Sequence, residues 1–140
     1  MEIDKSVLKN LALAAQRAYT RGLQTGSGGN ISARLGDNYM LVKSSGGSFA
    51  DCDETGRGFV LTDLDGNVQE GLPGKPTREV FLHGLIYKLR PDVKGVVHSH
   101  SPWSIAWAFT GQNLPSLTQH LKLKFSGEIP VLDVDSPMVR

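Results

Sequence analysis

Only one cysteine, Cys52, occurs in the 140 residues, so no internal disulfide holds this chain together. A reducing, cytoplasmic setting is the expectation. An excess of charge of one sign is also missing. Fifteen Lys and Arg oppose 14 Asp and Glu. The resulting net charge of +1 makes no field that would imply a nucleic-acid or membrane partner. No apolar run approaches the roughly 18 residues of a membrane span. The first ten residues carry Glu2, Asp4, Lys5 and Lys9 and hold no signal-peptide core. Repeats, low-complexity tracts and linkers are absent. What remains is a length suited to one globular domain, residues 1–140, able to bury roughly two thirds of its unfolded surface.

Glycine is what the chain has in excess. There are 16, against a usual share of about 7%. Three of them stand in Thr25–Asn30, and two in Ser44-Ser45-Gly46-Gly47-Ser48. The first loop follows a segment with Leu8, Leu11, Ala12, Ala15, Ala18 and Tyr19 at helical spacing, with Asp4 or Ser6 as cap and Gly22 as stop. After that loop, Ile31, Ala33 and Leu35 alternate with Ser32 and Arg34 as in a half-buried strand. Tyr39–Val42 returns as a second strand. Phe59–Thr62 and Val68–Glu70 read as a further hairpin around Asp63–Asn67. Thr77 reads as the N-cap of a helix carrying Val80, Phe81, Leu82, Leu85, Ile86 and Leu89, which Pro91 ends. Val93–His100 is a short apolar strand. Ser101-Pro102 opens a helix that runs to Gly111. Leu114–Phe125 is ambiguous, and Ile129–Val134 reads as a final strand. Hairpins between helices indicate a layered α/β or α+β domain, a sheet covered by helices.

The sharpest chemical signal is His98-Ser99-His100. In a strand, positions i and i+2 share a face about 6.5–7 Å apart. Two imidazoles so placed can converge on one metal ion. They stand where the Val96-Val97 strand leaves the core, a favoured position for ligands. Glu79, in the first turn of its helix, is either a helix-dipole carboxylate or an acid/base group, depending on whether it faces those histidines. His83, one turn on, orients Glu79 or packs. The glycine loops offer consecutive N–H groups that can cradle a phosphate, with the helix start at Thr77–Arg78 as a third anion-binding edge. Neither loop is a Walker or dinucleotide motif. Cys52 lies in a polar run and has no histidine beside it to make it a nucleophile.

Taken in order, these segments resemble the class II aldolase/adducin family. Gly28-Gly29-Asn30-Ile31-Ser32 is similar to its Gly-Asn-(Ile/Leu)-Ser loop. Lys43-Ser44-Ser45-Gly46 stands where members carry Thr-Pro-Ser/Thr-Gly, without the proline. Lys75-Pro76-Thr77-Arg78-Glu79 with Leu82-His83 resembles Pro-Ser-x-Glu…His, and Val96–Pro102 resembles the Val-Val-His-x-His metal strand. The resemblance implies an α/β, three-layer α/β/α domain with a mainly antiparallel central sheet. It implies a zinc (Zn2+)-dependent lyase cleaving a small sugar phosphate by a retro-aldol reaction. A decarboxylase of a four-carbon keto-acid phosphate, a dehydratase, or a non-catalytic adducin-like assembly domain are the alternatives.

The same resemblance implies His98 and His100 as metal ligands. It implies Glu79 as acid/base and as a candidate ligand, with a pKa raised by partial burial. It assigns the substrate phosphate to Gly29, Asn30, Ser45, Gly46 and Thr77, with Arg78 where phosphate aldolases have a second serine. Members form cyclic tetramers, so a homotetramer is expected, with no nucleic acid and no membrane partner. They also carry a third histidine in a later Asn-His-Gly segment and a C-terminal tyrosine. Neither is present before Arg140, so the sequence reads as a member shortened at its C-terminus.

Overall fold

In the computed structural model, residues 3–24 and 26–133 are described. Helix α1, Lys5–Thr20, begins where the Asp4 carboxylate accepts the Ser6 N–H at 2.8 Å. Its apolar positions recur every three or four residues, so Leu8, Leu11, Ala12, Ala15 and Ala18 are all buried. Tyr19, expected on the same stripe, is about half exposed. Strand β1 is Asn30–Leu35, β2 Tyr39–Lys43 and β3 Phe59–Asp63. Helix α2 is Val80–Leu89 and strand β4 Gly95–His98. The sheet order is β3-β2-β1-β4, and every pairing is antiparallel.

Successive side chains of a strand point to opposite faces. On one face, Ile31, Leu35, Leu41, Phe59 and Leu61 meet α1 in a wholly apolar cluster with Phe49 and Cys52. On the other, Met40 and Val42 meet Val80 and Tyr87 of α2, with Val96 packed alongside. The layers are therefore helix, sheet, helix, as expected. Ser32 and Arg34, expected on a half-solvated face, are buried under α2.

Several boundaries differ from the sequence reading. Helix α2 starts at Val80 with Glu79, not Thr77, at its N-cap, because Thr77 heads a separate turn in which the Val80 N–H meets the Thr77 carbonyl at 3.2 Å. Its buried stripe is Val80, His83, Gly84 and Tyr87, whereas Phe81, Leu85 and Leu89 are exposed. The expected return strand Val68–Glu70 reduces to an isolated bridge, Thr62 to Val68. β4 ends at His98, so His100 lies just past the strand.

The chain divides into two compact units, one within Met1–His100 and one within Ser101–Pro137. The second holds α3, Pro102–Ala108, which has proline in its first turn, and α4, Gln119–Lys124, capped by the Thr118 hydroxyl. An isolated bridge joins Leu114 to Ile129, and none of the described residues Ile129–Asp133 forms a strand. Thr25 of the first glycine loop and Val134 of the expected final strand lie outside the described residues. Among the described residues, no helix is long and apolar enough to cross a membrane.

Candidate active site

Four segments meet at one end of the sheet. β1 starts at Asn30, and the ladder sets Asn30 opposite His98. Gly29, just before it, has φ +77°, and a Cβ there would stand 2.7 Å from the His98 carbonyl oxygen. Only glycine tolerates both that backbone conformation and that approach. The second loop leaves β2 at Lys43 and is tied to the chain before α2. Ser45 N–H donates to the Lys75 carbonyl at 2.8 Å, and Thr77 N–H donates to the Lys43 carbonyl at 3.0 Å. This cross-pairing, with a bridge from Ser44 to Pro76, carries Thr77, Arg78 and Glu79 to the edge where His98 emerges.

Glu79 faces His98. Its Oε2 pairs with His98 Nδ1 and accepts the Asn30 amide N–H at 2.5 Å. Burial pushes this carboxyl up, but the hydrogen bonds from Asn30 and His98 outweigh it and hold its pKa below the ordinary glutamate range. The expectation of a raised pKa is therefore reversed, because both partners favour the charged form. The other Asn30 amide end, Oδ1, is hydrogen-bonded to His83 Nε2. His83 Nδ1 lies 2.6 Å from the Ser32 hydroxyl, which in turn lies 2.7 Å from the Tyr87 hydroxyl. His83 is fully buried, and burial lowers its pKa to about 4, so it is neutral at physiological pH.

The imidazoles of His98 and His100 have centroids 4.9 Å apart. Imidazole nitrogen suits zinc, and a carboxylate on the second ring nitrogen is the usual way a metal-binding histidine is oriented. The pair thus fits two positions of a zinc site, with Glu79 Oε1 free of hydrogen bonds among the described residues. No group of three His, Cys, Asp or Glu side chains converges on a common point among the described residues.

Ser44 and Ser45 N–H groups are engaged by the Gly58 and Lys75 carbonyls. The Ser45 hydroxyl and the N–H groups of Gly46 and Gly47 have no acceptor among the described residues. Thr77 is buried, and its hydroxyl lies 3.5 Å from the Glu79 N–H, while Arg78 is exposed. Three residues that sequence reasoning passed over also matter. Ser32 shares a strand face with Asn30, and Tyr87 stands one helical turn after His83; those two spacings were the available signal. Gln24 joins the loops, its Oε1 accepting the Phe49 N–H at 2.6 Å and the Ser48 hydroxyl at 3.1 Å. Cys52 is buried, and desolvation pushes its thiol up to about 11, in keeping with an inert cysteine.

Comparison with known proteins identifies the family. Residues 9–138 match the class II aldolase and adducin N-terminal domain. The chain belongs to that family. A 3-oxo-tetronate 4-phosphate decarboxylase of Escherichia coli K12 is 34% identical over 106 residues, 75% of this chain and 48% of the relative. An L-ribulose-5-phosphate 4-epimerase of Salmonella paratyphi B is 37% identical over 113 residues, 78% of this chain and 47% of the relative. A solved L-fuculose 1-phosphate aldolase superposes with a TM-score of 0.71 at 27% identity, covering 81% of this chain and 53% of that one. The chain spans about half the length of the curated relatives it matches. The class II aldolase fold is therefore shown, in a family whose relatives carry names of three different reactions on sugar phosphates.

Proposed function

We propose that this chain carries a zinc-dependent carbon–carbon lyase site acting on a small sugar phosphate by retro-aldol cleavage. The observation that best supports this reading is the Glu79 carboxylate, held by Asn30 and paired with His98, whose ring lies 4.9 Å from that of His100. His98 and His100 would hold the metal, with Glu79 on His98 Nδ1 orienting that ring. Zinc when bound polarises a substrate carbonyl and stabilises the negative charge that builds on its oxygen.

The remaining work falls to the chain's own residues. The Ser45 hydroxyl and the Gly46 and Gly47 N–H groups bind the phosphate, with Thr77, Arg78 and the Gly29–Asn30 turn around them. Glu79 takes the hydroxyl proton whose departure lets the C–C bond break, and returns one to the carbon left behind. Its lowered pKa keeps it ionised and ready to accept that proton. The expected homotetramer belongs to the same proposal, because a second copy can bring a third donor to the metal.

Decarboxylation of a keto-acid phosphate is the second reading. It is favoured by Arg78, an exposed cation at the site where a substrate carboxylate could be met, and by the E. coli relative's name. Elemental analysis of the purified chain should find near-stoichiometric zinc, lost in His98→Ala. Turnover of L-fuculose 1-phosphate to an aldehyde, or of a 3-oxo-tetronate 4-phosphate to CO2, then separates the two readings. Glu79→Gln should abolish turnover with zinc retained. A folded chain that binds no zinc would leave the adducin-like assembly role.

A further inference from the structure

Asn30 fixes the direction of every hydrogen bond around it. An ionised carboxylate can only accept, so the Asn30 group facing Glu79 Oε2 is its NH2, whichever way the amide is drawn. The Asn30 oxygen therefore faces His83 Nε2, and that nitrogen must carry the proton. A buried neutral imidazole then presents Nδ1 as an acceptor. The Ser32 hydroxyl, 2.6 Å away, donates to it, and the Ser32 oxygen accepts from the Tyr87 hydroxyl at 2.7 Å. From Tyr87 to Glu79 the bonds run in one consistent direction, and the Asn30 NH2 also lies 3.4 Å from His98 Nδ1.

We propose that His83 is a positioning residue. Held as the Nε2–H imidazole between Ser32 and Asn30, it locks the Asn30 amide so that its NH2 faces Glu79. Without this donor the Asn30 oxygen has no partner, and only the Glu79 carboxylate still distinguishes the two ends of the amide. A flipped amide would set its oxygen against the Glu79 carboxylate, two acceptors in a site of low dielectric. Four buried or half-buried side chains on β1 and α2 thus hold the geometry of a fifth. That Glu79 acts as base rests on the function proposed above. The orientation of Asn30 does not.

The test is a long-range proton–nitrogen NMR spectrum of the zinc-free chain labelled at histidine and asparagine nitrogens, with His83→Gln, His83→Leu and Tyr87→Phe. The His83 signals are those lost in His83→Gln. The wild type should show His83 with a protonated Nε2 and a bare Nδ1, and the Asn30 NH2 shifted away from its solvent value. His83→Gln keeps a donor N–H and should keep the Asn30 signal. His83→Leu should return that signal to the solvent value and weaken zinc binding about 10–100-fold. Tyr87→Phe should leave the His83 tautomer unchanged, because Ser32 still donates.

A protonated Nδ1 in the wild type would overturn the proposal. So would an Asn30 signal unmoved in folded His83→Leu, or one lost in folded His83→Gln. If His83→Leu does not fold, the wild-type tautomer and His83→Gln decide. A chain that binds no zinc would sink the functional reading, and the nitrogen signals would still decide the role of His83.

Discussion

The two faces of the sheet use the same strands for different ends. Ile31, Ala33 and Leu35 of β1 meet α1 in an apolar cluster, while Asn30, Ser32 and Arg34, the residues between them, lie on the α2 face. The α1 face holds its helix chiefly by apolar area, Leu8, Leu11, Ala12 and Ala15 against Leu41 and Leu61, with one hydrogen bond from the Gln16 amide to the Cys52 carbonyl at 2.9 Å. The α2 face holds its helix with Val80 and Tyr87 but also with directed polar contacts. Arg34 donates to the Val93 carbonyl at 3.2 Å and to the Tyr87 carbonyl, and its guanidinium lies 5.0 Å from the Tyr87 ring centre. Gly84 of α2 packs so closely on the Leu64 carbonyl that a methyl group there has no room. Apolar packing is tolerant of direction and hydrogen bonding is not. The face that must aim side chains at a site is the polar one.

Substitutions on the two faces should therefore differ in kind. Leu41→Ala, on the apolar face, is expected to cost about 3–4 kcal/mol in urea unfolding, while the His83 nitrogen signals stay where they are. A cost under about 1 kcal/mol would mean that this face does not carry the fold.

Acid should act through the polar face. The His83 pKa is lowered by burial, from 6.5 to about 4. The unfolded chain therefore takes up a proton first as pH falls, and stability drops from about pH 6.5 downward until pH 4, by roughly 3 kcal/mol. Glu79, also lowered, adds a loss in the same direction once pH falls below the ordinary glutamate range. Urea midpoints across pH should fall accordingly, and His83→Gln should flatten the limb between pH 6.5 and 4. An unchanged slope in that variant would assign the acid loss to other groups.

Ser32→Ala should cost about 1–2 kcal/mol, because it leaves His83 Nδ1 without its donor and the Tyr87 hydroxyl without its acceptor in the core. Calorimetry of the variant checks this, and a neutral result would mean that water replaces the hydroxyl. The smallest effect is expected on the outer side of α2. Phe81→Ser, at a side chain 55% exposed, should stay within about 0.5 kcal/mol. A larger loss would show that a second copy covers that surface.

The elements were legible where one physical signal dominated. The spacing of Leu8, Leu11, Ala12 and Ala15 predicts α1, and the alternation of Ile31, Ala33 and Leu35 predicts β1, in both cases as found. Reading failed where both sides of an element are buried. Ser32 and Arg34 looked like the solvent side of a strand because alternation cannot tell a polar face that is wet from one that is paired. The stripe Phe81, Leu85, Leu89 looked like the core side of α2 because those residues are apolar. The buried side carries His83, Gly84 and Tyr87 instead, each placed there by a contact with a distant strand or loop.

The site divides in the same way. His98 and His100, two residues apart at the end of an apolar run, were visible as a pair, and Glu79 was visible as an acid at a helix start. By itself the sequence determined the residue types, the local elements and the apolar face of α1, because these depend on neighbours within a few positions. That Glu79 faces His98 was decided by the tertiary structure, through the Ser44–Pro76 bridge and the Asn30–His98 register. So were the neutrality of His83 and the direction of the Asn30 amide. Those properties depend on burial and on partners some 50 residues away in the chain, as in Asn30 with Glu79 and His83, and no local pattern records them.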